Sequence, residues 1–273
     1  MRLLALLAPI LLASVHTGCV ATSEDDSHEM LDVSQMQEDV VGDPYAGELK
    51  ADAPLPASVD HSSRFLPARN QGKRGTCQTF ALLGAMEVFL DTKQYLSVED
   101  FLDNHTLPEL VLFYNFRFAG DPVALEKDWG YNQPKPANID QKPHYLIPHM
   151  VKVGVTDHDK VERYLASSPT NNILVGLAWD DDMRTGNVFD NPMLSPVQAL
   201  WARTAGCVTE ASNCGGHVIL LVGYEKRKDS DGVTRTFYKF RNSWGAQWGE
   251  SGYGWMSSEY LRQMGKSGLL LTK

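Results

Sequence analysis

The chain has 273 residues, of which 43% are hydrophobic and 22% charged, as in an ordinary globular protein. Its net charge is −9, and residues 22–52 alone carry ten acidic residues against one lysine, so the rest of the chain is neutral. No basic stripe is present, which argues against a nucleic-acid partner.

The first 18 residues have the pattern of a signal peptide. Arg2 precedes the apolar run Leu3–Val15, which is too short to span a membrane. Gly18-Cys19 then resembles a bacterial lipoprotein box, although His16 stands where leucine is usual. Lipidation of Cys19 would attach the protein to the membrane as an outer-membrane or cell-surface lipoprotein. The alternative is ordinary signal cleavage nearby and a secreted protein.

Residues 19–53 are acidic and poor in large apolar side chains. Such a segment repels itself and cannot bury a core, so we expect a disordered tether. A removable propeptide is the alternative. The folded domain is expected to comprise residues 54–273.

A buried helix is predicted over Cys77–Leu90, because only Gly84 and Glu87 interrupt its apolar stretch from Phe80 onward. With Thr76 as the N-cap, Cys77 would lie in the first turn, where the helix dipole favours a thiolate. Gln71 lies on a glycine-flanked loop six residues earlier, and its amide could donate to a developing oxyanion.

In the rest of the chain, the predicted helices come before the predicted strands. Further helices are predicted over Thr106–Arg117 and Val161–Ser167, and residues 127–143 have no clear period. Loops are expected over Asp180–Pro196 and Arg227–Val233. The predicted strands are Asn172–Trp179, His217–Gly223, Thr236–Asn242 and Tyr253–Met256.

His217 opens an unbroken apolar run, and Asn242 follows a second predicted strand. Such positions suit a cleft-facing imidazole and an amide that orients it. Each residue also has an ordinary interpretation when taken singly: Cys77 as an inert core thiol, His217 as a satisfied histidine and Asn242 as a turn residue.

Three segments together resemble the papain-like cysteine peptidases, and the chain resembles a divergent bacterial member of that family. The segments are Asn70–Ala81, Gly215–Tyr224 and Arg241–Tyr253. The resemblance implies an α+β fold of two lobes, a helical N-terminal lobe and a β-barrel-like C-terminal lobe, with the active site in the cleft between them.

The resemblance also implies roles for individual residues. Cys77 would be the nucleophile, His217 the base, Asn242 the residue that orients the imidazole, and Gln71 an oxyanion donor. Trp244 would shield the bond between His217 and Asn242 from solvent.

The implied function is an exported cysteine endopeptidase that forms an acyl-enzyme on Cys77. It would be a monomer that acts on proteins or peptides, with no cofactor and no metal. Two alternatives stay open: a catalytically silent papain-like binding module, and an amidase or transpeptidase that uses the same triad on cell-wall peptides.

Two residues depart from the family pattern. Arg74 stands where a paired cysteine is common, and Gln78 where an aromatic residue is common, so activity is not assured by the resemblance. Cys207 and Cys214 lie seven residues apart just before His217. In an exported protein they can form a disulfide, which we predict, and the alternatives are two free thiols or Cys214 as the nucleophile.

Overall fold

Residues 54–105, 118–179, 215–228 and 232–272 are described by the structure, a computed structural model. The predicted signal peptide, the tether, the helix Thr106–Arg117 and the loop Asp180–Pro196 lie outside the described residues. In chain order, the described helices are α1 Cys77–Phe89, α2 Val98–Asn104, α3 His158–Ser167 and α4 Ser258–Met264. Short 3₁₀ helices cover Ser62–Arg64 and Ile139–Gln141.

The described strands form one large antiparallel sheet and one small one. The strands are β1 Ser58–Asp60, β2 Pro122–Ala124, β3 His144–Leu146, β4 His149–Val153, β5 Ile173–Trp179, β6 Gly215–Lys228, β7 Thr234–Arg241, β8 Tyr253–Ser257 and β9 Gly265–Thr272. The large sheet has the order β4-β9-β5-β6-β7-β8, with β1 also paired to β6, and β2 pairs with β3 separately.

Strand β6 is buried on both of its faces. Val218 and Leu220 pack into a core that α1 and α2 share with the sheet. Ile219 and Leu221 pack into a second core with α3 and α4. Because alternate side chains of a strand point to opposite faces, burial of both faces requires an unbroken apolar run. The predicted buried strand is therefore confirmed, and the same alternation places β6 between the two cores.

Helix α1 is as buried as its sequence predicts, since every residue from Cys77 to Val88 is buried. The predicted N-cap position is confirmed, because α1 begins at Cys77 directly after Thr76, but the Thr76 side chain does not cap the helix. Thr76 has φ −107° and ψ 16°, and its side chain accepts no hydrogen bond from the helix. Its hydroxyl lies 3.1 Å from Tyr131 Oη instead, so a tertiary contact has replaced the local one.

Other boundaries differ for local reasons. Helix α3 begins at His158, three residues before the prediction, because the Asp157 side chain accepts from the Lys160 N–H and caps it. The loop predicted from Arg227 is wrong at its start, since β6 continues to Lys228. The predicted α+β architecture is confirmed, with α1 and α2 preceding the strand-rich part. None of the described helices is long and apolar enough to cross a bilayer.

Candidate active site

The loop before α1 is hydrogen-bonded to the segment after β7. The Gln71 N–H donates to Ser243 O at 2.8 Å, and the Gly245 N–H donates to Arg69 O at 3.0 Å. These bonds flank an isolated antiparallel bridge between Asn70 and Trp244. Two segments about 170 residues apart, both predicted to carry site residues, are thus held side by side by their backbones.

The Gln71 side chain is fixed at both ends of its amide. Its Oε1 accepts a 2.5 Å hydrogen bond from Ser243 Oγ, and its Nε2 donates to Arg74 O at 2.7 Å. The residue is only 3% exposed. An amide nitrogen has two hydrogens, so one bond to Arg74 does not exhaust its capacity to donate. The amide is therefore oriented before any substrate arrives.

His217 and Asn242 meet as the sequence predicts. His217 Nε2 lies 2.8 Å from Asn242 Oδ1, which also accepts from the Ser243 N–H at 2.8 Å. Because that oxygen can only accept, the bonded tautomer carries its proton on Nε2, and Nδ1 is the nitrogen that can take up a second proton. Asn242 thus sets both the tautomer and the orientation of the imidazole.

Trp244 lies beside this pair. Its ring centroid is 5.0 Å from that of His217, with 36° between the ring planes. His217 and Asn242 are each 2% exposed. A bond kept from water in this way is stronger than an exposed one, because the local dielectric constant is lower. The placement is that expected of a shielding residue.

Cys77 is the first residue of α1 and is buried. On a helix, residues three and four positions further share its face. Those residues, Phe80 and Ala81, line a small cavity together with Val218, Asn242 and Ser243. Cys77 and Val218 also belong to the same core. The thiol-bearing end of α1 therefore packs against β6, the strand that carries His217, and against the segment that carries Asn242.

The other three cysteines lie outside the described residues. Lipidation of Cys19 and the disulfide between Cys207 and Cys214 therefore stay predictions.

A charge cluster lies next to the site and consists of the buried Glu87 and Arg241 and the partly buried Arg69. Glu87 pairs with Arg69 at 2.8 Å and accepts from the Leu96 N–H at 2.9 Å. The Arg241 guanidinium donates to the backbone carbonyls of Leu66 and Pro67. It also passes close to α1 at Gly84, where a Cβ atom on that residue would lie only 2.7 Å from Arg241 Nη1. The cluster anchors the residues that immediately precede Gln71 and Asn242.

Burial changes the acidity of this cluster. It raises the pKa of the Glu87 carboxyl, and the nearby Arg69 guanidinium opposes that effect. Burial also lowers the pKa of Arg241. Sequence reasoning did not find the cluster, but its signal is present: Gly84 and Glu87 are the two interruptions of an otherwise apolar helix.

Ser243 is a second residue that sequence reasoning did not single out. Its backbone N–H, carbonyl and hydroxyl contact Asn242 and Gln71. Its position next to Asn242 was the available signal, although an Asn-Ser pair more often indicates a turn.

Comparisons with known proteins agree with this arrangement. A family model described as "Papain family cysteine protease" matches residues 193–268, a range that includes His217, Asn242 and Trp244. A probable cysteine protease, RD19C of Arabidopsis thaliana, is 25% identical over 219 residues, covering 73% of this chain and 55% of that protein. The KDEL-tailed cysteine endopeptidase CEP2 of the same plant is 24% identical over 238 residues, covering 80% and 58%. The chain thus spans about half the length of the curated relatives it matches.

Solved structures resemble the fold over most of the chain. Xylellain, a cysteine protease from Xylella fastidiosa, superposes with a TM-score of 0.56 at 21% identity, covering 82% of this chain and 88% of that one. The bromelain protease from Ananas comosus, solved with the inhibitor E-64, gives a TM-score of 0.57 at 22% identity, covering 80% and 99%. These likenesses show that the chain has the papain-like fold, and the family model and the relatives show that it is similar to cysteine proteases of the papain family.

Proposed function

We propose that the protein is an exported cysteine endopeptidase that hydrolyses peptide bonds through an acyl-enzyme on Cys77. The observation that carries the proposal is the 2.8 Å bond between His217 Nε2 and Asn242 Oδ1. Ser243, the next residue, orients the Gln71 amide from the same segment. A base and an oxyanion donor are thus fixed together beside the helix that begins with Cys77.

The first half of the reaction forms a thioester. The Cys77 thiolate, stabilised by the helix N-terminus and a protonated His217, attacks the carbonyl carbon of the scissile bond. The negative charge that develops on oxygen is stabilised by the Gln71 amide and the Cys77 backbone N–H. His217 then gives its proton to the departing amine, and the C–N bond breaks.

The second half returns the enzyme to its starting state. His217, now neutral, takes a proton from a water molecule that attacks the thioester carbonyl. The carbon–sulfur bond breaks, the carboxylic product leaves, and the thiolate–imidazolium pair is restored. Throughout, Asn242 keeps the imidazole in one orientation, and Trp244 limits the access of water to the bond between them.

The two other functions predict different products. Purified protein is expected to cleave a denatured protein at internal peptide bonds, with the new termini identified by mass spectrometry. A peptidoglycan digest should be unchanged. Release of cell-wall peptides without protein cleavage would favour the amidase or transpeptidase, and no cleavage of either would favour the silent binding module.

Gln71 gives a specific prediction within this mechanism. Replacing it by glutamate keeps its size but removes both N–H donors, so kcat should fall by about 10²-fold or more. KM should change little, because the lost interaction forms in the transition state. Steady-state kinetics on a peptide substrate measures both constants. As a control for the added carboxylate, Gln94→Glu alters an exposed glutamine outside the loop and helix that carry the proposed oxyanion donors. Unchanged kcat in Gln71→Glu would remove this residue from the mechanism.

Export and anchoring form a separate part of the proposal. The apolar run and Gly18-Cys19 support maturation at a lipidated Cys19, and two or more acyl chains give stable membrane attachment. A tether of residues 19–53 would hold the peptidase domain away from the surface. The exported protein should be found in the membrane fraction with a modified Cys19 as its first residue. A soluble protein, or an N-terminus downstream of Cys19, would contradict lipidation and favour a secreted peptidase.

A further inference from the structure

Tyr131 contacts the chain on both sides of Cys77. Its Oη donates to Gln71 O at 2.8 Å and lies 3.1 Å from Thr76 Oγ1. A phenol has one hydrogen, so with that hydrogen on Gln71 O the Thr76 hydroxyl must be the donor in the second bond. The ring also meets Phe80 edge-on, at 5.1 Å between centroids. One side chain thus connects the proposed oxyanion loop to the first turn of α1.

Arg74 holds the Tyr131 ring from the exposed side. Its guanidinium lies over the ring, 5.0 Å from the centroid, and pairs with Glu99 of α2. It also donates to Asn132 Oδ1 at 2.8 Å, while the Asn132 N–H donates to Glu99 at 2.8 Å. These four residues, Arg74, Glu99, Tyr131 and Asn132, form the Arg74–Tyr131 cluster.

Within the described part of the chain, the other hydrogen bonds of the loop that the cluster contacts are local ones: the Gly72 N–H donates to Asn70 Oδ1 at 2.9 Å, and the Thr76 N–H donates to Arg74 O at 2.8 Å. Residues 72–75 are exposed and include two glycines, whose backbones are the least restricted of any residue. Gly72 has φ +62°, a conformation that favours glycine. The Gln71 amide nitrogen itself donates to the Arg74 carbonyl in this loop. Any displacement of the loop would therefore reorient the Gln71 amide.

We propose that Tyr131, held by Arg74 and Glu99, is a positioning residue that sets the Gln71 amide relative to the Cys77 thiol. The inference rests on the proposed function, in which that amide stabilises the oxyanion. Tyr131 does not act on the substrate itself. Its effect should therefore appear in kcat, whereas formation of the thiolate, which depends on His217, should be unaffected.

Tyr131→Phe tests the proposal because it removes both hydrogen bonds and keeps the ring. We expect kcat to fall about three- to tenfold, as the loss of one or two neutral hydrogen bonds implies, with KM unchanged. The rate of Cys77 alkylation by iodoacetamide should keep its pH profile. Tyr145→Phe is the matched control, because Tyr145 packs on the same core and its hydroxyl has no hydrogen bond within the described residues.

Arg74 provides the second arm of the experiment. Arg74→Met should reproduce the fall in kcat, whereas Arg74→Lys, which keeps a cation near the ring and Glu99, should retain most of the activity. Equal kcat in the methionine and lysine variants would show that the charge does not act as proposed.

Hydrogen exchange separates this proposal from the proposed function. Amides of residues 72–76 should exchange faster in Tyr131→Phe and Arg74→Met than in the wild type or Tyr145→Phe. If the wild type cleaves no peptide bond but exchange still rises, the peptidase proposal fails and the loop-fixing role of Tyr131 stands. If exchange is unchanged, or rises with no change in the kcat of an active enzyme, the positioning role is wrong.

Discussion

Cys77→Ala is expected to abolish peptide-bond hydrolysis, with a fall in kcat of about 10⁵-fold or more. The variant removes the only atom that can form the acyl-enzyme, while the helix, the oxyanion donors and the imidazole stay in place. His217→Ala should cause a loss of similar size, because the thiol then lacks both the cation that stabilises its thiolate and the base that moves its proton.

Because the two residues act as a unit, the double variant should be no less active than either single variant. Kinetics on one peptide substrate, with thermal unfolding of each variant, provides the measurement. His61→Gln is a suitable control, since His61 is also buried and lies 3.3 Å from an asparagine oxygen, that of Asn172. It should lower stability and leave kcat unchanged. Activity retained by Cys77→Ala would exclude the proposed nucleophile.

Arg69→Met should produce the largest loss of stability among single substitutions around the site. It leaves the Glu87 carboxylate buried without its ion-pair partner, which typically costs about 3–5 kcal/mol in the free energy of unfolding. Urea unfolding at neutral pH measures this loss of stability. Removal of the more exposed partner of Arg69, in Glu126→Gln, should cost about 1 kcal/mol or less.

The loss in Arg69→Met should depend on pH. Burial raises the pKa of Glu87 and Arg69 opposes that rise, so removal of Arg69 raises this pKa further. A carboxyl with a raised folded-state pKa favours the folded state while it is protonated. Its contribution is therefore full below the unfolded pKa and is lost as pH rises through the folded one. The variant should be less impaired at acidic pH than at neutral pH.

A double variant measures the interaction between Arg69 and Glu87. Arg69→Met with Glu87→Gln removes both charges, so its loss should be smaller than the sum of the two single losses. Strictly additive losses, or a loss in Arg69→Met that grows as pH falls, would contradict the role assigned to this ion pair.

The elements that the sequence predicted are those whose pattern follows from burial alone. Strand β6 is apolar without interruption from Val218 to Val222 because both of its faces are buried there, and α1 is apolar nearly all round for the same reason. Strands β4 and β9 were not assigned, although they pair with each other. Helix α2 was also missed, even though Ser97 caps it through the Asp100 N–H, which is a local signal.

The sequence predicts the site through residues whose chemistry is distinctive. The prediction is incomplete where the site depends on contacts between residues far apart in the chain. His217 and Asn242 lie 25 positions apart and do meet. The bond from Ser243 to Gln71 joins positions 172 apart, and no local pattern indicates it. Thr76 stands at the N-cap position, but its hydroxyl contacts Tyr131, 55 positions away, and not the helix. Such contacts depend on the packing of α1 and α2 against the sheet.

The most direct test of the proposed mechanism is covalent labelling of the native protein with an epoxide inhibitor of papain-like peptidases. Intact mass and peptide mapping should show one adduct, on Cys77, and His217→Ala should slow its formation by orders of magnitude, because the thiolate is the nucleophile. Labelling of denatured protein controls for access to the buried thiol. A native protein that is unlabelled at Cys77, or labelled equally fast without His217, would contradict a thiolate activated by that imidazole.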